Sequence, residues 1–170
     1  GREDLDLCNE KKVDNYFSVN YFDLIINCAA YTLVDKAEID TKIANQVNNL
    51  AVAQISNAVK AQKAKLIHIS TDYVFDGQKN SAYKEIDKTN PINFYGKTKL
   101  DGEIIIQKIL PIDATILRVG WLYSEYGKNF IKTILMLAKK QKEINIVNDQ
   151  IGSPTYATDL ANTILNPIKN

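Results

Sequence analysis

The stretch "FDLIINCAAYTLVDKAEIDTKIANQVNNLAVAQISNAVKAQKAKLIHIS", residues 22–70, decides the fold. It opens on a short apolar run, Phe22–Ala30, that ends in small residues. A run of that length and composition suits a buried parallel strand. Residues 41–62 then carry helical spacing, with Ile43, Val47, Leu50, Ala51, Gln54 and Ala58 near one stripe. "AKLIHIS", Ala64–Ser70, is the next strand. Strand, helix, strand at these lengths is a βαβ unit.

The alternation continues outward. Asn93–Ile109 reads as a helix whose start is marked by Pro91 and Asn93. Asp113–Gly120 reads as a strand, Asn129–Lys142 as a helix with a basic end that suits its dipole. Ile144–Asp149 reads as a short strand and Thr155–Ile168 as the last helix. The expected class is α/β, a parallel sheet covered on both faces.

Composition narrows the function. A net charge of +1 gives no footprint for nucleic acid or for a polybasic membrane surface. No apolar run reaches the length of a membrane span, and no signal peptide opens the sequence, so the default is a soluble cytoplasmic protein. The two cysteines, Cys8 and Cys28, have no metal spacing, and Cys28 reads as a small packed hydrophobe. Met136 reads as core filler on its helix. His68, mid-strand, reads as packed or paired. Asp35, Lys36 and Glu38 read as a solvated face.

In a parallel sheet, ligands bind at the carboxyl ends of the strands. Four such ends carry small residues or hydroxyls: "NCAAYTLVDKAE", "STDYVFDG", "RVGWLY" and "DQIGSPT". Within "INFYGKTKLDGE" (Ile92–Glu103), Tyr95 and Lys99 stand four apart, on one helix face. An ammonium beside a phenol favours phenolate, so the expectation is a Tyr95 pKa below about 10 and a usable proton donor or acceptor.

These blocks, with the asparagine of "VNN", the acidic "YKEID", "GKNFI" and "VNDQIGSPTYATDLA", cover almost the whole sequence in order. Together they resemble the extended short-chain dehydrogenase/reductase family, and within it the dTDP-4-dehydrorhamnose reductases. That resemblance implies a Rossmann-like doubly wound NAD(P)-binding sheet over residues 1–170. It implies NADPH- or NADH-dependent reduction of the C4 ketone of dTDP-4-dehydro-L-rhamnose, a nucleotide-sugar substrate of surface-polysaccharide biosynthesis. Mg2+ and a homodimer are compatible with it.

By the same matching, Tyr95 is the proton donor, Lys99 lowers its pKa and binds the nicotinamide ribose, and Thr71 hydrogen-bonds the carbonyl oxygen. Ala29, Ala30, Tyr31 and Thr32 line the pyrophosphate–ribose side, Asp6 and Leu7 match the adenine position, and Ile69 lies under the cofactor. Thr71, Asp72, Val74 and Trp121 match substrate contacts, with Val34, Asn129 and the "DQIGSPT" loop as weaker candidates. Trp121 is equally readable as a core aromatic.

Two rivals follow from the resemblance. A 4,6-dehydratase or epimerase of the same family places a glutamate after the Thr–Asp pair, where Tyr73 stands here. A regulatory subunit like the methionine adenosyltransferase β subunit has no need of an intact Tyr95, Lys99 and Thr71. The family also opens with a strand and a GxxGxxG turn that holds the pyrophosphate. "REDLDL" matches the segment after that unit, and the family continues past Asn170. The expectation is therefore the middle of a longer protein that keeps the nicotinamide half of the cofactor site and lacks the Gly-rich pyrophosphate-holding unit and most of the substrate region.

Overall fold

The structure is a computed structural model that describes residues 3–166. It divides into two compact units, residues 1–118 and residues 119–170.

The first unit is built on a three-stranded sheet of order β1-β2-β3, with β1 Leu24–Asn27, β2 Lys65–Thr71 and β3 Ala114–Val119. β1 and β2 are parallel, in a register that sets Ile26 beside Ile67 and Asn27 beside His68. The βαβ reading of residues 22–70 is therefore correct. The helical layer comprises α1 (Glu10–Val19), α2 (Val34–Ala37), α3 (Thr41–Asn45), α4 (Ala51–Gln62) and α5 (Phe94–Ile109). α1 was not foreseen; its signal is Asn9, whose side chain caps the Lys12 N–H.

Between α3 and α4 the chain makes a π turn, Gln46–Leu50. One extra residue per turn rotates the buried stripe. Ile43 and Leu50, expected inside, are 48% and 45% exposed. Ala44, Asn48, Val52, Ile55 and Val59 are buried in their place. The apolar centre joins Val52, Ile55 and Val59 of α4, Leu66 of β2 and Ile106 of α5. Burying each such side chain contributes roughly 1.5–3 kcal/mol.

α5 begins where Pro91 and Asn93 indicate. The Asn93 side chain accepts from Gly96 N at 2.7 Å, and Glu38 accepts the Phe94 N–H at 2.7 Å. Glu38 is thus more than part of a solvated face. Gly96 allows a close approach: a Cβ there would stand 2.2 Å from the Tyr73 carbonyl oxygen. Gly102 does the same, with Asn48 O at 2.4 Å. Cys28 departs from expectation. It is exposed, because the strand ends at Asn27 and the chain leaves the core.

The second unit holds β4 (Leu122–Tyr123), α6 (Phe130–Ala138), β5 (Thr155–Tyr156) and α7 (Ala157–Leu165). β4 pairs with β5 in parallel. The strand expected at Ile144–Asp149 does not form. The partner edge of β4 is taken by Thr155 and Tyr156, and Ile146 and Val147 are left 52% and 66% exposed. Met136 is half exposed, so it is not core filler. The last helix, expected to run to Ile168, is seen to Leu165; Pro167 and Ile168 lie outside the described residues. No helix among the described residues is long and apolar enough to cross a membrane.

Candidate active site

The carboxyl ends of β1 and β2 lie side by side, and α5 crosses beneath them with polar groups on its buried face. Tyr95, Lys99 and Glu103, one turn apart in succession, are all buried. Burying two charged side chains on one helix face is costly unless each is paired, and each has partners.

Lys99 Nζ donates to the Ile69 carbonyl at 2.7 Å and stands 3.3 Å from His68 Nε2. Loss of solvent lowers its pKa to about 8, while the nearby Glu103 charge acts in the opposite direction. Glu103 is clamped by the Arg118 guanidinium, 2.6 Å from Nη2 to Oε2 and 3.1 Å from Nε to Oε1. Ser70 Oγ donates to the same carboxylate. His68, fully buried, lies between Lys99 and Asn27 Nδ2, which is 3.0 Å from its Nδ1.

Tyr95 departs from expectation. Burial raises its pKa, hydrogen bonding with Thr71 pulls it back, and the charges of Asp72 and Tyr73 push it up further. The expected fall does not occur because Lys99 Nζ is turned onto the Ile69 carbonyl rather than the phenol, and burial dominates. Tyr95 is therefore a phenol at neutral pH, the state a proton donor requires. Thr71 Oγ donates to Asp72 Oδ1 at 3.0 Å and accepts the Tyr73 N–H at 3.2 Å. Those two bonds fix the hydroxyl beside the phenol. The ring of Tyr73 meets that of Tyr95 edge to face at 5.7 Å.

The loop after β1 is held by Asn48. Its side chain accepts the Tyr31 N–H at 2.8 Å and donates to Tyr31 O and Thr98 Oγ, both at 3.1 Å. Tyr31 OH donates to Asp40 at 2.7 Å. Tyr31 and Val34 pack on the cluster of Ala37, Ala44 and Tyr95. Ala29 and Thr32 are exposed, and Ala30 is partly so.

Among the expected site residues, then, Tyr31, Val34, Ile69, Thr71, Asp72, Tyr95 and Lys99 are brought together. Val74 is fully buried in the turn Asp72–Val74. Asp6 closes a turn by accepting the Cys8 N–H at 3.1 Å, and Leu7 packs on the apolar centre. Trp121 and Asn129 belong to the second unit. Trp121 adopts a left-handed backbone, φ 48°, and its indole faces Gly152, where a Cβ would stand 2.9 Å from Nε1. Asn129 caps α6 through the Lys132 N–H at 3.0 Å. Among the described residues no group of three or more His, Cys, Asp or Glu is arranged to hold a metal ion.

Sequence reasoning read the Ser70 hydroxyl as a donor at its strand end but missed Asn27, Glu103 and Arg118, and the bracing role of Asn48. The signal for Glu103 was its spacing: Tyr95, Lys99 and Glu103 repeat every four residues, which sets a carboxylate on the same face as the pair.

A parallel α/β sheet with a tyrosine–lysine pair and a threonine at its strand ends defines a Rossmann-type α/β protein. More closely, the chain belongs to the RmlD substrate-binding domain family, which matches residues 1–170. It is 41% identical over 162 residues to a dTDP-4-dehydrorhamnose reductase of Aggregatibacter actinomycetemcomitans, covering 95% of this chain and 55% of that protein. Two crystal structures of proteins described as dTDP-4-dehydrorhamnose reductase superpose with a TM-score of 0.93. One, from Clostridium acetobutylicum, is 39% identical over 99% of this chain and 59% of that one. The other, from Bacillus anthracis and in complex with NADP, is 40% identical over 99% of this chain and 60% of that one. The chain spans a little over half the length of the relatives it matches.

Proposed function

We propose that this chain forms the catalytic part of an NAD(P)H-dependent reductase that converts the C4 ketone of dTDP-4-dehydro-L-rhamnose to the alcohol. The observation that carries the reading is the pairing of two hydroxyls, Thr71 and Tyr95, beside a buried lysine at the ends of two parallel strands. The donor set fits the nicotinamide-ribose half of a dinucleotide: an amine for ribose hydroxyls, and small side chains at Ala29 and Ala30 that permit close approach.

A nicotinamide cofactor, when bound, supplies the hydride. The protein's part is proton and field. As the ketone is reduced, negative charge develops on its oxygen, and the Tyr95 and Thr71 hydroxyls are the donors that meet it. Tyr95 gives up its proton to that oxygen and is reprotonated from solvent. Its raised pKa keeps it loaded at neutral pH. Lys99 is the amine that would hold the ribose. Thr71 donates its one proton to Asp72 in the free protein and turns it to the ketone oxygen when the substrate is bound. Tyr73, in the position of the dehydratase glutamate, gives its backbone N–H to Thr71 and supplies no carboxylate base.

The test is NADPH oxidation by the purified protein with dTDP-4-dehydro-L-rhamnose. Loss of absorbance matched by dTDP-L-rhamnose is expected. Cofactor binding without turnover of this sugar or of other dTDP-4-keto sugars overturns the reading and favours a binding role.

A further inference from the structure

His68 is the single histidine of the chain, is fully buried, and has no part in the steps above. Its hydrogen bonds determine which ring nitrogen carries the proton. Ala29 N donates to Asn27 Oδ1 at 3.1 Å. A backbone N–H can only donate, so the Asn27 oxygen is committed to that side. Its amide nitrogen therefore faces His68 Nδ1, at 3.0 Å. An amide nitrogen also only donates, so Nδ1 accepts and bears no proton. A neutral imidazole then carries its proton on Nε2, the atom 3.3 Å from Lys99 Nζ. Two donors meet there if Lys99 is an ammonium. One donor meets one acceptor if Lys99 is an amine.

We propose that Asn27 locks His68 as the Nε2–H tautomer, and that this N–H stabilises the neutral amine of Lys99, making Asn27 and His68 positioning residues that tune the ribose-binding group. The chain of bonds begins at Ala29, in the loop expected to line the cofactor, so the loop and the lysine are joined through one buried ring. The consequence for cofactor binding rests on the reductase reading; the tautomer does not.

The neighbours are consistent with this. Burial and the Lys99 charge hold His68 down to about 3, so the ring is neutral throughout the working range. The other titratable and charged groups around Lys99 and its neighbour Tyr95 are Glu103 from α5 and Asp72 and Tyr73 from the turn after β2. Glu103 favours the ammonium, but it is shared with Arg118 of β3 and with Ser70. The Ile69 carbonyl accepts from Lys99 in either charge state.

Because there is one histidine, nitrogen-15 labelling of histidine reports on this ring alone. The expected spectrum is the Nε2–H tautomer, with no ring protonation near the ordinary pKa of about 6.5. A step in its shifts is expected near pH 8 as Lys99 titrates, lost in Lys99→Met. Asn27→Asp replaces the donor by an acceptor, so the proton should move to Nδ1. Nε2 then accepts from the ammonium, and the Lys99 step should rise by about one pH unit or more. An Nδ1–H ring in the unsubstituted protein, ordinary titration near 6.5, or a step that survives Lys99→Met each overturns the proposal. If Asn27→Asp does not fold, the unsubstituted protein and Lys99→Met still decide it. An Nε2–H ring in a protein that binds no NADPH sinks the reductase reading and leaves the relay standing.

Discussion

Lys99 Nζ lies 2.7 Å from the Ile69 carbonyl oxygen, on the strand that α5 crosses, and not on the phenol one turn back along its own helix. A buried lysine so placed has a folded pKa of about 8 against an ordinary 10.5. Between those values the unfolded chain binds more protons than the folded one. Stability therefore rises with pH from about 8 to about 10.5, and below pH 8 the full cost of burying the charge is present. A shift of that size corresponds to about 3 kcal/mol. Lys99→Met should remove this rise. Urea unfolding of both proteins at pH 7 and pH 10 checks it: the difference between them should shrink the advantage of Lys99→Met as pH increases. Parallel pH profiles mean that Lys99 is not the titrating group.

Tyr95→Phe removes the phenol while keeping the ring that packs on Tyr73. If Tyr95 donates the proton, kcat should fall by roughly 10²–10⁴-fold, with NADPH affinity nearly unchanged. NADPH binding should weaken as pH rises through about 8 and Lys99 loses its charge, and this alkaline limb should persist in Tyr95→Phe. Stopped-flow turnover and a fluorescence titration separate the two effects. Near-normal turnover removes Tyr95 from the mechanism.

Much of this was legible because it is local. The runs at 22–30 and 64–70 are short, apolar and bounded, and they became β1 and β2 in the expected parallel arrangement. Asn93 announced the start of α5 because capping depends on the few residues around it. What was not legible depends on distant partners. The π turn at Gln46–Leu50 moved the buried stripe, and nothing in the periodicity of 41–62 marks it except that Asn48 sits where an apolar residue would be expected. The run at 144–149 has strand composition, but Thr155 and Tyr156 occupy the available edge. The Tyr95–Lys99 pair was visible; the diversion of Lys99 onto β2, which reverses the expected direction of the Tyr95 shift, was not.

Asn48 binds both backbone groups of Tyr31 and the Thr98 hydroxyl from a fully buried position. Asn48→Ala abolishes three hydrogen bonds and leaves the Tyr31 N–H without its acceptor. At about 1 kcal/mol per bond and more for a stranded buried donor, the loss should be roughly 2–4 kcal/mol. Urea unfolding with an unchanged slope would register it. Hydrogen exchange should be fastest to increase in the loop at residues 29–33. A loss under 1 kcal/mol would mean that water replaces the amide there.

Glu103 carries the last prediction, because removing it and neutralising it should differ. Its carboxylate is nearly inaccessible and holds Arg118 through both oxygens and Ser70 through one. Glu103→Ala leaves the Arg118 guanidinium facing an empty, partly buried site and frees the Ser70 hydroxyl. Breaking a buried pair from one side costs about 3–5 kcal/mol. Glu103→Gln keeps an oxygen for Ser70 and Arg118 and most of the volume, so its cost should be smaller. Glutamine, however, no longer favours the Lys99 ammonium, a charge that Glu103 stabilises. The Lys99 titration should therefore move below about 8 in Glu103→Gln, bringing the alkaline loss of NADPH binding to lower pH. Chemical denaturation ranks the two variants, and binding titrations across pH 6–9 locate the limb. Equal destabilisation by Ala and Gln with an unmoved limb would reduce Glu103 to a packing residue.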